Sequence, residues 1–83
     1  MRVVFYSGER CPVCKIMLPV LQSLVPDVVV VKLDADSPEV GIYGIMTVPV
    51  IMVLNVEDRE VGRIVGGISK SQLQLFLIEK GAL

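Results

Sequence analysis

The chain has 83 residues, of which 53% are hydrophobic and 20% charged, and its formal net charge is −1 at pH 7. This length predicts a single domain, residues 1–83, and excludes two-domain enzymes and repeat arrays. A charge near zero argues against binding to nucleic acid or anionic membranes, which need a basic patch. The longest apolar run, Val48–Leu54, is too short for a spanning helix. Because a strand-like run follows Met1 directly, with no signal peptide pattern, a soluble cytoplasmic protein is expected.

The first half of the chain predicts a strand, a helix and a second strand. Arg2–Ser7 is rich in β-branched and aromatic residues, which is typical of a strand. Apolar side chains recur at helical spacing over Cys14–Leu24, and Pro19 inside this segment predicts a kink. Val28–Leu33 is almost continuously apolar, which favours a strand covered on both faces. Strand–helix–strand order predicts a parallel pair with a right-handed crossover.

The second half predicts a loop, two strands and a closing helix. Asp34–Gly44 is polar and glycine-containing, so we expect a loop with at most a short helix. Val50–Asn55 predicts a buried strand, and Val61–Val65 predicts a shorter strand that returns after a charged turn. A last helix should run from a cap at Ser69 to about residue 80. Together these elements predict an α/β fold, a four-stranded mixed sheet with flanking helices in the order β-α-β-β-β-α.

The two cysteines, Cys11 and Cys14, lie where the first strand meets the first helix, and the chain has no His. A helix N-terminus favours a thiolate over a thiol, and it can lower the cysteine pKa from about 8.5 to about 7. The spacing places Cys14 one turn inside the helix, within reach of a mixed disulfide formed at an exposed Cys11. Arg10 and Lys15 add positive charge on either side. These features predict a redox-active dithiol, with Cys11 as the nucleophile and Cys14 as the resolving thiol.

Other interpretations of the cysteine pair remain open at this point. One chain cannot form a closed four-ligand zinc site from Cys and His, but two chains together can. The pair can also consist of two inert thiols. A redox-sensing binding module, which docks a partner without turnover, is a further alternative.

Four stretches in order along the chain resemble the thioredoxin family. Cys11–Lys15, followed by Pro19, resembles the family's active-site helix. Lys32–Asp36 resembles the end of its central strand, and Tyr43–Pro49 resembles the stretch that ends in its cis-proline. Val65–Leu73 resembles the glycine turn and the start of the C-terminal helix. The chain is thus similar to a thioredoxin trimmed of the N-terminal strand and helix, which implies a thioredoxin-like fold and a thiol–disulfide oxidoreductase acting on protein disulfides.

The resemblance also implies roles for individual residues. It implies that Pro49 is cis and that no metal or organic cofactor is needed beyond the Cys11–Cys14 disulfide. Phe5 occupies the position of the buried acid that thioredoxins keep, so Lys32 and water are the remaining candidates for proton transfer at Cys14. The substrate groove that the resemblance implies consists of Pro12, Val13, Thr47, Val48, Pro49, Gly66 and Gly67.

Some features resemble glutaredoxins instead, which makes glutathione an alternative co-substrate. Phe5–Ser7, the proline directly after Cys11, Thr47–Pro49 and the short length are similar to that branch. However, Asp34–Pro49 contains no Lys or Arg to bind the glutathione carboxylates. We therefore expect a monomer that receives electrons from a thioredoxin reductase-type flavoprotein and acts on disulfide-containing proteins.

Overall fold

The computed structural model describes residues 1–34 and 36–83. Residue 35, within the stretch similar to the family's central strand end, lies outside the described residues. The elements in chain order are β1 (Arg2–Ser7), α1 (Pro12–Leu24), β2 (Val29–Lys32), α2 (Pro38–Ile42), β3 (Val50–Leu54), β4 (Glu60–Val65) and α3 (Lys70–Glu79). This confirms the predicted α/β class and the predicted order of elements along the chain, and α2 is the short helix expected within the polar segment.

The strands form one sheet in the order β2-β1-β3-β4. β1 and β2 are parallel, so both strands end at the same edge of the sheet, with Ser7 opposite Lys32. The other two pairs are antiparallel, and Val50 at the start of β3 lies opposite both Tyr6 of β1 and Val65 of β4. This edge therefore brings together the segment after β1, the start of β3 and the end of β4.

The strands separate two apolar clusters because side chains alternate between the faces of a sheet. Phe5 on β1 packs with α1 and α3 on one face, where Leu21, Leu73 and Leu77 are almost fully buried. The opposite face is smaller, and its buried residues are Val4, Tyr6, Ile45, Val50, Met52 and Leu54. Pro19 lies inside α1, which begins at Pro12 rather than at residue 14, because a proline is favoured in the first helical turn.

The prediction that Val28–Leu33 is covered on both faces is wrong. β2 is shorter than predicted and pairs only with β1, which makes it an edge strand. Val29 and Val30 are each 41% exposed, whereas no residue of β3 exceeds 1%. An apolar run indicates a strand, but its position in the sheet depends on long-range pairing that the run itself does not encode.

The last helix begins and ends as the sequence predicts. The Ser69 hydroxyl accepts a hydrogen bond from the Gln72 backbone N–H, and the Gln72 side chain accepts from the Ser69 backbone N–H. This capping box satisfies two N–H groups that have no partner within the helix. Gly81, with a φ of +77°, follows the helix in the left-handed region that glycine adopts readily.

Candidate redox site

Cys11 and Cys14 form a disulfide at the start of α1, with their Cα atoms 5.2 Å apart. Cys11 is the N-cap of the helix, and its Sγ accepts a hydrogen bond of 3.2 Å from the Cys14 backbone N–H. An N-cap normally provides a side-chain oxygen for this contact, and here a sulfur atom takes that place. After reduction, the same N–H and the positive end of the helix dipole would stabilise a thiolate on Cys11.

The expectation of an exposed Cys11 is wrong for the oxidised state. Cys11 is 8% exposed and Cys14 is 4% exposed, so burial hardly distinguishes them. Cys11 belongs to the apolar cluster under α1, and its Sγ is turned towards the first helical turn, where it accepts from the Cys14 N–H. Pro12 and Val13 are the exposed residues of the motif. A substrate sulfur can therefore approach Cys11 only through a small exposed part of that residue.

The segment before β3 lies directly against the motif. The Val48–Pro49 peptide bond is cis, as the resemblance implied. A Cβ placed on Gly8 would lie 2.9 Å from Cγ2 of Val48 and 4.0 Å from Cβ of Cys11. Only a glycine at this position lets the Val48 side chain approach the loop that leads into Cys11. Val48 is therefore a neighbour of the redox pair, and Pro49 beside it is buried.

The glycine pair completes the other side of the site. The Gly66 N–H donates a hydrogen bond of 2.9 Å to the Pro49 carbonyl. Gly66 has a φ of +89° and no atom near the position of a Cβ, so its outer side is open. A Cβ on Gly67 would lie only 2.9 Å from Cγ1 of Val13. The glycine turn thus contacts both the motif and the cis-proline segment.

Lys32 and Cys14 line the same cavity. A cavity of about 140 Å³ opens at the ends of β1 and β2. Ser7, Glu9, Cys14, Lys15 and Lys32 contribute its polar or titratable groups. The apolar part of its lining comes from Phe5, Gly8, Leu18 and Val30. Ser7 and Glu9 were not among the predicted site residues, although strand alternation from Phe5 could have placed Ser7 on this face.

Thr47 lines a cavity to which neither cysteine contributes. It lines a shallow cavity of about 250 Å³ next to the cis-proline segment. The other lining residues are Leu33, Asp34, Val40, Ile45, Met46 and Val48. Val48 lines this cavity and also lies close to Gly8 before the motif, so the cavity adjoins the redox site.

Within residues 1–34 and 36–83, no group of three or more His, Cys, Asp or Glu side chains is arranged to hold a metal ion. None of the helices in that part of the chain is long and apolar enough to cross a membrane.

Known proteins are similar to this chain in sequence and in fold. The thioredoxin family model matches residues 1–79. A thioredoxin of Pseudomonas aeruginosa is 37% identical over 84 aligned positions, covering 90% of this chain and 74% of its own. The solved structure of a reduced thioredoxin pre-protein from Schistosoma mansoni superposes with a TM-score of 0.72 at 25% identity, covering 93% of this chain and 75% of its own.

A mutant thioredoxin from Halobacterium salinarum has the same fold. Its TM-score is 0.75 at 21% identity, and the match covers 98% of this chain and 74% of the other. The family model spans nearly the whole chain, and the motif cysteines form a disulfide at a helix N-terminus, next to a cis-proline and a glycine turn. The chain therefore belongs to the thioredoxin family.

Proposed function

We propose that this protein reduces disulfides in other proteins, with Cys11 as the nucleophile and Cys14 as the resolving thiol. Membership of the thioredoxin family carries a protein-disulfide oxidoreductase activity, whose redox group is the Cys11–Cys14 disulfide of the chain itself rather than a prosthetic cofactor. The observation that supports the assignment of roles best is the position of Cys11 at the N-cap of α1. There the helix N–H groups favour its thiolate.

The reaction exchanges one disulfide for another. The Cys11 thiolate attacks a sulfur of the substrate disulfide, which forms a mixed disulfide and releases one substrate thiolate. The Cys14 thiol loses its proton and attacks Sγ of Cys11, so that the Cys11–Cys14 bond forms and the second substrate thiolate leaves. The substrate gains two electrons and two protons, and the protein is left oxidised until a donor reduces it.

The surface around the disulfide supports a polypeptide substrate. Val13, Val65 and Met46 are 41%, 52% and 94% exposed near the motif, the glycine turn and the cis-proline segment. Gly66 presents backbone without a side chain, which permits close approach of a partner's main chain. In our proposal, an extended substrate segment lies along Val48, with Pro12, Thr47 and Gly67 at its borders.

A flavoprotein thioredoxin reductase is the electron donor we propose, in preference to glutathione. Glutathione carries two carboxylates, which a dedicated site would bind with cations. The cavity beside Thr47 provides a carboxylate instead, from Asp34. Arg10 and Lys15, the positive charges next to the motif in sequence, do not line that cavity. A cytoplasmic location fits this donor, because thiols are kept reduced there.

Insulin reduction tests the proposed activity. The protein is mixed with insulin and dithiothreitol, and precipitation of the free insulin B chain is followed as turbidity. We expect rapid precipitation with the unsubstituted protein and only the background rate with Cys11→Ser. A background rate for the unsubstituted protein would leave a redox-sensing module without turnover as the better assignment.

A second experiment identifies the donor. The oxidised protein is offered NADPH with the thioredoxin reductase of the same organism, or millimolar glutathione with glutathione reductase, and NADPH consumption is measured in both. Faster reduction through thioredoxin reductase is expected. Faster reduction by glutathione with the cognate reductase present would assign the protein to the glutaredoxin type of electron flow.

A further inference from the structure

The Arg63 side chain connects β4 to the cis-proline segment, Tyr43–Pro49, through a hydrogen bond to the Tyr43 carbonyl. We propose that Arg63 is a positioning residue for substrate binding, because it fixes this segment in place for the main chain of a protein substrate. The inference rests on the proposed function, since it concerns how a protein disulfide is held before Cys11 attacks it. It gives a part in substrate binding to a residue outside the cysteine motif.

The contact joins two parts of the chain that are distant in sequence. Nη2 of Arg63 donates a hydrogen bond of 2.6 Å to the Tyr43 carbonyl. Within residues 1–34 and 36–83, every other hydrogen bond between a side chain and the backbone joins positions at most four apart. Arg63 pairs with Met52 in the sheet, so it lies on the face of the smaller apolar cluster, against which Tyr43 packs. The hydrogen bond therefore relates the end of α2 directly to β4.

The Tyr43 carbonyl is one that a helix leaves without a partner. Tyr43 is the C-cap of α2, and the last carbonyls of a helix lack an N–H donor within the helix. An arginine can bind such a carbonyl. The turn that follows is held internally, because Gly44 has a φ of +62° and the Ile45 N–H donates a hydrogen bond of 3.1 Å to the Val40 carbonyl. A displacement of Tyr43 would therefore move the buried Ile45 with it.

β4 and the glycine after it hold the cis-proline segment at both ends. Arg63 holds Tyr43 at the start of the segment. Just after β4, the Gly66 N–H donates a hydrogen bond of 2.9 Å to the Pro49 carbonyl at its end. Among the residues that the structure describes, none forms a hydrogen bond with the backbone of Met46–Val48. An extended substrate can pair with this stretch, whose distance from the glycine turn depends on both hydrogen bonds.

Glu60 holds the guanidinium in the orientation that this contact needs. Its two carboxylate oxygens accept hydrogen bonds of 2.6 Å from Nε and Nη2 of Arg63, whose side chain is 26% exposed. A planar guanidinium can bind a carboxylate through two parallel hydrogen bonds and donate to a carbonyl as well, which an ammonium group does not reproduce. Arg63→Lys and Glu60→Gln should therefore weaken the connection without abolishing it.

A protein substrate gains affinity from a segment that is already ordered. Ordering a loop during binding consumes part of the interaction free energy. Loss of the Arg63 contact should therefore raise the dissociation constant of a protein substrate by about three- to tenfold. The exchange of disulfide bonds uses only the cysteines, so its limiting rate should stay within about a factor of two. A small aromatic disulfide has no peptide main chain, so its reaction should also stay within about a factor of two.

Single-turnover kinetics separate binding from chemistry. Each reduced variant is mixed with increasing excesses of insulin and stopped with N-ethylmaleimide, and the fraction of protein without label is measured by intact mass. The dependence of the rate on insulin concentration gives an apparent dissociation constant and a limiting rate. The same variants react with the small disulfide dithiobis-nitrobenzoate, and the released thionitrobenzoate is followed by absorbance. Far-UV circular dichroism checks that each variant is folded.

The variants are Arg63→Met, Arg63→Lys and Glu60→Gln, with Arg59→Met as the matched control. Arg59→Met removes the same charge, but the Arg59 side chain is 80% exposed and lies before β4, at the end of the sheet away from the cysteines. We expect Arg63→Met to raise the apparent dissociation constant of insulin three- to tenfold and the other two variants to raise it less. Arg59→Met should leave it unchanged.

Two results for a folded Arg63→Met would overturn the inference. One is an unchanged dissociation constant for insulin, and the other is an equal loss with insulin and with the small disulfide, which indicates general damage to the fold. If Arg63→Met does not fold, unchanged dissociation constants in both Arg63→Lys and Glu60→Gln would overturn it. An unsubstituted protein that leaves insulin intact at every concentration would instead refute the proposed function.

Discussion

Gly67 determines how closely the glycine turn can approach the redox motif. A Cβ at this position would lie 2.9 Å from Cγ1 of Val13, and that methyl group belongs to the first turn of α1. Gly67→Ala should therefore force the turn and the motif apart. Overpacking of this kind costs about 1–3 kcal/mol of unfolding free energy. We expect a lower urea midpoint together with slower insulin reduction.

Gly41→Ala is the matched control for this substitution. Gly41 lies in α2, its φ is not positive, and a Cβ there would meet no other atom within 4 Å. Alanine should be neutral at this position or raise the unfolding free energy by up to about 1 kcal/mol, because it suits a helix better than glycine. If Gly67→Ala is as stable and active as Gly41→Ala, the close approach has no functional meaning.

Glu60 gives the fold a pH-dependent contact at the exposed end of β4. Arg63 donates hydrogen bonds of 2.6 Å to both carboxylate oxygens of Glu60 and another of 2.6 Å to the Tyr43 carbonyl. The hydrogen bond from Arg63 lowers the pKa of Glu60 below its ordinary value of 4.5. A carboxylate with a lowered pKa stabilises the folded state above its unfolded pKa, and this contribution is lost as the pH falls through the folded pKa.

Glu60→Gln should therefore destabilise the protein at neutral pH, and the difference from the unsubstituted protein should shrink below about pH 4. Urea unfolding of both proteins at several pH values measures this difference in unfolding free energy. Glu57→Gln is the control, because the Glu57–Arg59 pair is wider, at 3.6 Å, and exposed. A difference for Glu60→Gln that persists unchanged at low pH would contradict the role of the charged pair.

At the scale of elements, two apolar strands have different environments. β2 is an exposed edge, whereas Val53 in β3 is fully buried in the apolar cluster that packs against α1 and α3. Val53→Thr places a hydroxyl in the core and should cost about 1–3 kcal/mol of unfolding free energy. Val29→Thr, at 41% exposure, should stay within about 0.5 kcal/mol. Equal losses in urea unfolding would show that β2 is covered in solution.

The capping box at the start of α3 is a second element-level test. Ser69→Ala removes the acceptor for the Gln72 N–H and should lower the unfolding free energy by about 1 kcal/mol. Ser71 lies two residues further along, inside the same helix and outside the cap. Ser71→Ala should therefore change the unfolding free energy little. Urea unfolding of both variants measures the two losses of unfolding free energy. Equal losses would show that the capping hydrogen bond does not stabilise the fold.

At the scale of the whole molecule, local patterns predicted the elements but not their neighbours. The position of Cys11 and Cys14 at a helix start, the cap at Ser69 and the order of elements along the chain follow from short-range chemistry, and the structure confirms them. The edge position of β2 and the burial of Cys11 depend on which elements pack together, and no short segment encodes that. The alternation of β1 from Phe5 places Ser7 on the face of the cysteines, but its pairing with Lys32 joins two separate strands and is not encoded in either one.

The family resemblance predicted the rest of the site. It placed Pro49, Gly66 and Gly67 near the cysteines, although they are far from them in sequence. The structure brings these residues together through the hydrogen bond from Gly66 to Pro49 and the contact of Gly67 with Val13. Their roles in substrate binding remain part of the proposal.

The central claim is that Cys11 attacks the substrate and Cys14 resolves the mixed disulfide. Intact-mass analysis of single-cysteine variants tests it most directly. Reduced Cys14→Ser and Cys11→Ser are each incubated with a disulfide-containing protein, quenched with acid and measured without reducing agent. The account predicts a stable adduct on Cys11 in Cys14→Ser and little or none in Cys11→Ser. Equal adducts in both variants, or an adduct only in Cys11→Ser, would contradict it.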